Sequence, residues 1–196
     1  MPITTLSAID CGDLVARYVT DGTRVGLHLL PRARLGDVVP HRVNLCAEPE
    51  IIGLGGAFGE PPGETVDSLV HVHCLGDGAA GGFSQGRTMR ASETVAGLRL
   101  RDQRVELDAD GHVVVTTLES AGRFTVEHRL RWRTGTGAVE IGTVLRNIGA
   151  TELTIELLTS FALGGITPFA HADAPGRLVV HRFRSTWSGE GRHVPA

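Results

Sequence analysis

Arg123-Phe124-Thr125-Val126-Glu127-His128-Arg129-Leu130-Arg131-Trp132-Arg133 is the stretch that decides the fold. Phe124, Val126, His128, Leu130 and Trp132 fall on one side of an extended chain, and Arg123, Thr125, Glu127, Arg129, Arg131 and Arg133 fall on the other. A period of two with an apolar and a charged side describes a half-buried strand, with one face on a core and one in water. No segment carries a 3.6-residue apolar stripe over three turns, so long helices are not expected.

Turn residues continue this reading in both directions. Asp110-Gly111 separates Arg104–Leu107 from His112–Leu118, and Asp21-Gly22 separates Leu14–Thr20 from Arg24–Leu30. Asp-Gly supplies the positive φ angles that a tight hairpin turn of type I′ demands. Gly135-Thr136-Gly137 joins 123–133 to 139–146, and 147–150 leads on to 152–158. Residues 99–158 are therefore expected to form one antiparallel meander. With 26 Gly and 9 Pro among 196 residues, turn punctuation recurs at the short intervals of an all-β sandwich or barrel. The length suits a single domain, 1–196.

Composition excludes several functions. All 19 basic side chains are arginine, against 22 Asp and Glu. The resulting net charge of −3 gives no basic excess for nucleic acid. The absence of lysine removes Schiff-base chemistry and the phosphate-binding P-loop. No run of about 18 apolar residues is present to span a membrane. Cys11, Cys46 and Cys74 fit no disulfide framework or zinc spacing, and Met1 to Leu14 has no basic-then-apolar leader, so a reducing cytoplasm is expected. The three cysteines read as small buried hydrophobes.

Four constellations bear on chemistry. The glycine-rich run 51–59 fails as a dinucleotide fingerprint because Phe58 stands where glycine is needed and no helical segment follows. It reads as one of two long loops, 48–63 and 77–86. His71-Val72-His73 places two imidazoles on one strand face, a spacing that can serve a metal, but no third ligand has matching spacing. The expectation is a polar strand face with Cys74 on the opposite side, and neither metal nor cofactor. The nine histidines and many serines permit a Ser-His-Asp triad in principle, but no Gly-x-Ser-x-Gly elbow occurs. Finally, 181–192 combines Trp187, a flat apolar surface, with Arg184, Glu190 and Arg192, whose planar groups form paired hydrogen bonds. That mixture suits a sugar, a domain interface, or an amphipathic strand carrying a partly buried Trp.

Residues 158–169 and 181–192, preceded by Val144-Leu145-Arg146-Asn147-Ile148-Gly149, resemble the N-terminal region of bacterial α-galactosidases of glycoside hydrolase family 36. The resemblance is strongest from about Arg99 onward. It implies an antiparallel β-supersandwich of the galactose-mutarotase-like type that packs against a downstream catalytic (β/α)₈ barrel. It also implies galactosides as ligands of the whole enzyme, a homo-oligomeric parent, and retaining hydrolysis by two aspartates of the barrel. The nucleophile of that family sits in a lysine-x-aspartate-x-asparagine motif, which a chain without lysine does not contain. No catalytic residue is therefore carried over. Arg184, Trp187, Glu190 and Arg192 are the expected surface facing barrel or substrate. The family's supersandwich is longer than this chain, so the sandwich is expected to be incomplete at its C-terminus. The alternatives are a free-standing carbohydrate-binding module and an aldose-epimerase-like enzyme using His and Glu for proton transfer.

Overall fold

The computed structural model describes residues 3–39, 66–77, 92–163, 166, 168–169, 181–184 and 192–195, the last two segments by backbone alone. Eleven strands are present among them. β1 (Thr4–Cys11), β2 (Leu14–Thr20) and β3 (Val25–Pro31) form a three-stranded sheet in that order. β5 (Arg99–Asp108), β6 (Gly111–Ser120), β7 (Phe124–Arg133) and β8 (Val139–Asn147) form a four-stranded sheet, also in chain order. Two short pairs complete the set: β4 (Val72–Cys74) with β9 (Ile155–Leu158), and β10 (His181–Arg184) with β11 (Arg192–Pro195). Every pairing is antiparallel. Among the described residues, helix is confined to one 3₁₀ segment, Arg32–Asp37, and to α1 (Glu93–Gly97). Among the described residues no sheet closes into a barrel.

The two larger sheets form a sandwich because each carries a face of period two. Phe124, Val126 and Leu130 of β7 are buried, as are Val114 and Leu118 of β6. They share one apolar cluster with Cys11, Ala16, Tyr18, Val25 and Leu27 of the other sheet. The alternation expected for 123–133 is thus the one observed. Val72 and Cys74 enter the same cluster from β4, which puts Cys74 on the core side of its strand. Leu69 N–H donates to the Val25 carbonyl at 2.7 Å, which ties the segment before β4 to the edge of β3.

α1 is too short to persist by propensity alone. The Ser92 hydroxyl accepts from Val95 N–H at 3.0 Å and donates to the Val72 carbonyl at 2.8 Å. One buried side chain therefore caps the helix and fastens it to β4.

Three details differ from the sequence reading. The meander ends at Asn147, because β9 leaves the four-stranded sheet and pairs with β4 instead. In the β5–β6 hairpin the connecting residues are Ala109 and Asp110, and Gly111 already pairs with Asp108. Gly111 is not among the positive-φ residues; its lack of a side chain is needed because a Cβ there would run into the Trp132 carbonyl. The left-handed turn occurs one hairpin later, where Ala121 (φ 35°) and Gly122 (φ 76°) join β6 to β7.

Candidate functional site

The 181–192 constellation is only partly described. Its backbone register sets Arg184 directly opposite Arg192, closing the β10–β11 pair. Trp187 and Glu190 fall between the two strands in sequence and lie outside the described residues, as do residues 48–63 and Cys46.

His71 and His73 are positioned by β4 and its pairing with β9. His73 is buried, and its Nδ1 lies 3.9 Å from Glu156 Oε2. His71 N–H donates to Thr159 Oγ1 at 2.9 Å, and Thr159 N–H returns a bond to the His71 carbonyl at 3.0 Å. The pairing with β9 gives this strand face a carboxylate in Glu156, which sequence spacing did not single out. Such a carboxylate can orient an imidazole. At 3.9 Å the two side chains face each other directly, leaving no room for a sugar ring between them. Among the described residues, no three His, Cys, Asp or Glu side chains gather as a metal-binding group.

The solvent face of β5–β8 carries a ladder of arginines and carboxylates. Arg129 holds Glu127 at 2.6 Å, Arg104 holds Glu106 at 2.9 Å, Arg133 reaches Glu140 at 3.3 Å, and Arg131 reaches Asp108 at 3.5 Å. The hydrogen bond from Arg129 keeps the Glu127 carboxyl below the usual carboxylate range. Gly142, opposite Arg129, raises no side chain, and a depression of about 300 Å³ forms beside it, bordered by Glu106, Arg129, Arg131 and Glu140. The residue types are those that hold hydroxyl groups, although each guanidinium already serves a carboxylate.

The core itself contains a polar row. Gln103, Thr116, His128 and Thr143 stand side by side across β5, β6, β7 and β8 on the buried face. From the facing sheet Ser7 donates to Gln103 Oε1 at 2.6 Å, and Gln103 Nε2 donates to Thr116 Oγ1 at 2.9 Å. The Tyr18 phenol is buried beside Thr116, and burial pushes its pKa up. Burial drives His128 the other way, down to about 4. The row makes polar contacts between the two sheets, and Thr116 and His128 at its centre are fully buried.

The chain matches no protein-family model, no curated protein and no solved structure.

Proposed function

We propose that this chain is a non-catalytic N-terminal β-sandwich domain of an α-galactosidase-like, retaining glycoside hydrolase that cleaves terminal α-galactosides in carbohydrate metabolism. In this reading it packs against a downstream catalytic barrel in a cytoplasmic, homo-oligomeric enzyme. The carrying observation is that an antiparallel sandwich forms and that parts of the resembling segments lie on strands. Val144–Asn147 ends β8, Leu158 ends β9, His181–Arg184 forms β10 and Arg192 opens β11. Arg184 and Arg192 are register partners at one end of the β10–β11 pair. The separation of His73 and Glu156 favours this over an epimerase-like role, which needs the sugar between its acid and its base.

The test is kinetic and uses the whole enzyme. Trp187→Ala is expected to raise KM for an aryl α-galactoside or lower the melting temperature. Unchanged kinetics together with unchanged stability would remove Trp187 from the proposed surface.

A further inference from the structure

We propose that Cys11 and His112 form a two-coordinate site for monovalent copper, held between the Cys11 thiolate and the His112 imidazole where the two larger sheets meet. This site is independent of the glycosidase reading.

Cys11 ends β1 and His112 is the second residue of β6, so each sheet supplies one ligand. The donor atoms, Cys11 Sγ and His112 Nε2, lie 3.9 Å apart. Trp132 lies against both sides of the pair. Its ring centroid is 5.3 Å from that of His112, and a Cβ on Gly12 would come within 3.3 Å of Trp132 Cζ2. Gly12, with φ 73°, is thus the neighbour of Cys11 that lets the indole lie over the turn. Cys11 is buried and His112 is half-buried. Entry is past His112, whose register partner is Leu107. There β5 outruns the facing sheet and leaves Val105 46% and Leu107 90% exposed.

Ligand type narrows the metal to copper or zinc, since a thiolate selects soft ions and an imidazole suits both. Zinc takes four ligands, at about 2.3 Å to sulfur and about 2.0 Å to nitrogen, and its tetrahedral angle would bring these two atoms to about 3.5 Å. The observed 3.9 Å fits the wider angle of an ion with few ligands. Among the described residues no third His, Cys, Asp or Glu joins the pair as a metal-binding group. Asp10, the adjacent carboxylate, is engaged by Arg32 and by Gly12 N–H at 3.0 Å. Monovalent copper, a filled-shell ion, is stable with two ligands.

Charge points the same way. A thiolate, a neutral imidazole and a monovalent cation sum to zero, which suits the apolar cluster that contains Cys11. A divalent ion would bury one uncompensated charge. Binding forms an Sγ–Cu and an Nε2–Cu bond, breaks the S–H bond and releases its proton to solvent. The copper stays monovalent and nothing is oxidised. Burial raises the Cys11 thiol pKa, so the sulfur keeps its proton until an ion replaces it. Bonding through Nε2 places the imidazole proton on Nδ1, the same tautomer in which Nε2 accepts from the thiol.

The experiment titrates the intact, reduced chain with Cu(I) under nitrogen, in competition with the chelator bicinchoninate. Cys46→Ser is the background, so that the thiol outside the described residues takes no part. One Cu(I) per chain is expected, and X-ray absorption at the copper edge should show one sulfur and one nitrogen neighbour. Losing a direct ligand costs more than losing an outer partner, so Cys11→Ala and His112→Phe should each weaken binding at least about 100-fold. Cys74→Ala should leave it unchanged. Circular dichroism confirms that each variant is folded, and the absorption spectrum decides the question even where a ligand variant fails to fold. No bound copper, copper bound by sulfur alone, an affinity indifferent to either ligand variant, or displacement by equimolar Zn(II) would each overturn the proposal.

Discussion

Thr116 and His128 stand directly opposite each other on β6 and β7, both fully buried, and neither ring nitrogen of His128 has a hydrogen-bond partner among the described residues. The core therefore accepts the imidazole only in its neutral form. Burial takes its pKa from the ordinary 6.5 down to about 4 in the folded chain. The unfolded chain binds the proton first as pH falls, so protons favour unfolding between those two values. Stability from this group is constant above pH 6.5 and falls below it, by roughly 3 kcal/mol at pH 4. Urea midpoints across pH 4–8 check this. His128→Leu should flatten the loss and leave the protein more stable than wild type at pH 5, because it also removes an unpaired buried polar group. A variant with the wild-type pH profile would show that His128 is not the titrating group.

Gly111 and Gly137 form a matched pair for substitution. A Cβ at Gly111 would strike the Trp132 carbonyl, a backbone atom of the neighbouring strand, whereas a Cβ at Gly137 meets nothing within 4 Å. Gly111→Ala should cost about 3 kcal/mol through forced displacement of β6 from β7. Gly137→Ala should change stability by less than about 0.5 kcal/mol. Thermal melting of the two variants side by side reads the difference directly.

Ser92→Ala removes both the cap of α1 and the bond to the Val72 carbonyl. The expected loss is about 1–2 kcal/mol, since Val95 N–H and a buried carbonyl lose their partner together. Ser92→Thr keeps the oxygen and should recover much of it. Equal losses for the two variants would show that the hydroxyl bonds contribute little.

Cys11 and Cys74 are free and buried, and burial raises both thiol pKa values. Iodoacetamide at pH 8 should label neither while the chain is folded and both once guanidinium unfolds it. Mass spectrometry of the two peptides gives the answer. Rapid labelling of either in the native protein would place that thiol at the surface.

Much of the sandwich was legible in local sequence. The alternation in 123–133 has a charged side that contains four arginines and an apolar side, and no helix satisfies that pattern. The hairpins from Arg99 to Asn147 join neighbours in the chain, so turn residues could locate them. What escaped was non-local. β9 has only four residues, and its choice of β4 over β8 depends on which edge is open in space. For the same reason, the contact between His73 and Glu156 carried no spacing signal. The turn at Ala121-Gly122 lacks the Asp-Gly signature, because alanine occupies the first left-handed position. Placing Val105 and Leu107 in a strand segment was correct, but period alone cannot reveal that the strand outruns its cover. Of the four residues expected to face barrel or substrate, register relates Arg184 to Arg192, while Trp187 and Glu190 lie outside the described residues.

The assignment as an accessory domain is tested most directly by assaying the product of the whole reading frame and residues 1–196 alone on an aryl α-galactoside. The account predicts hydrolysis with retention at the anomeric carbon for the former and none for the latter. It is contradicted if the whole product leaves the α-galactoside intact, or if residues 1–196 alone cleave it or speed the mutarotation of fresh α-galactose.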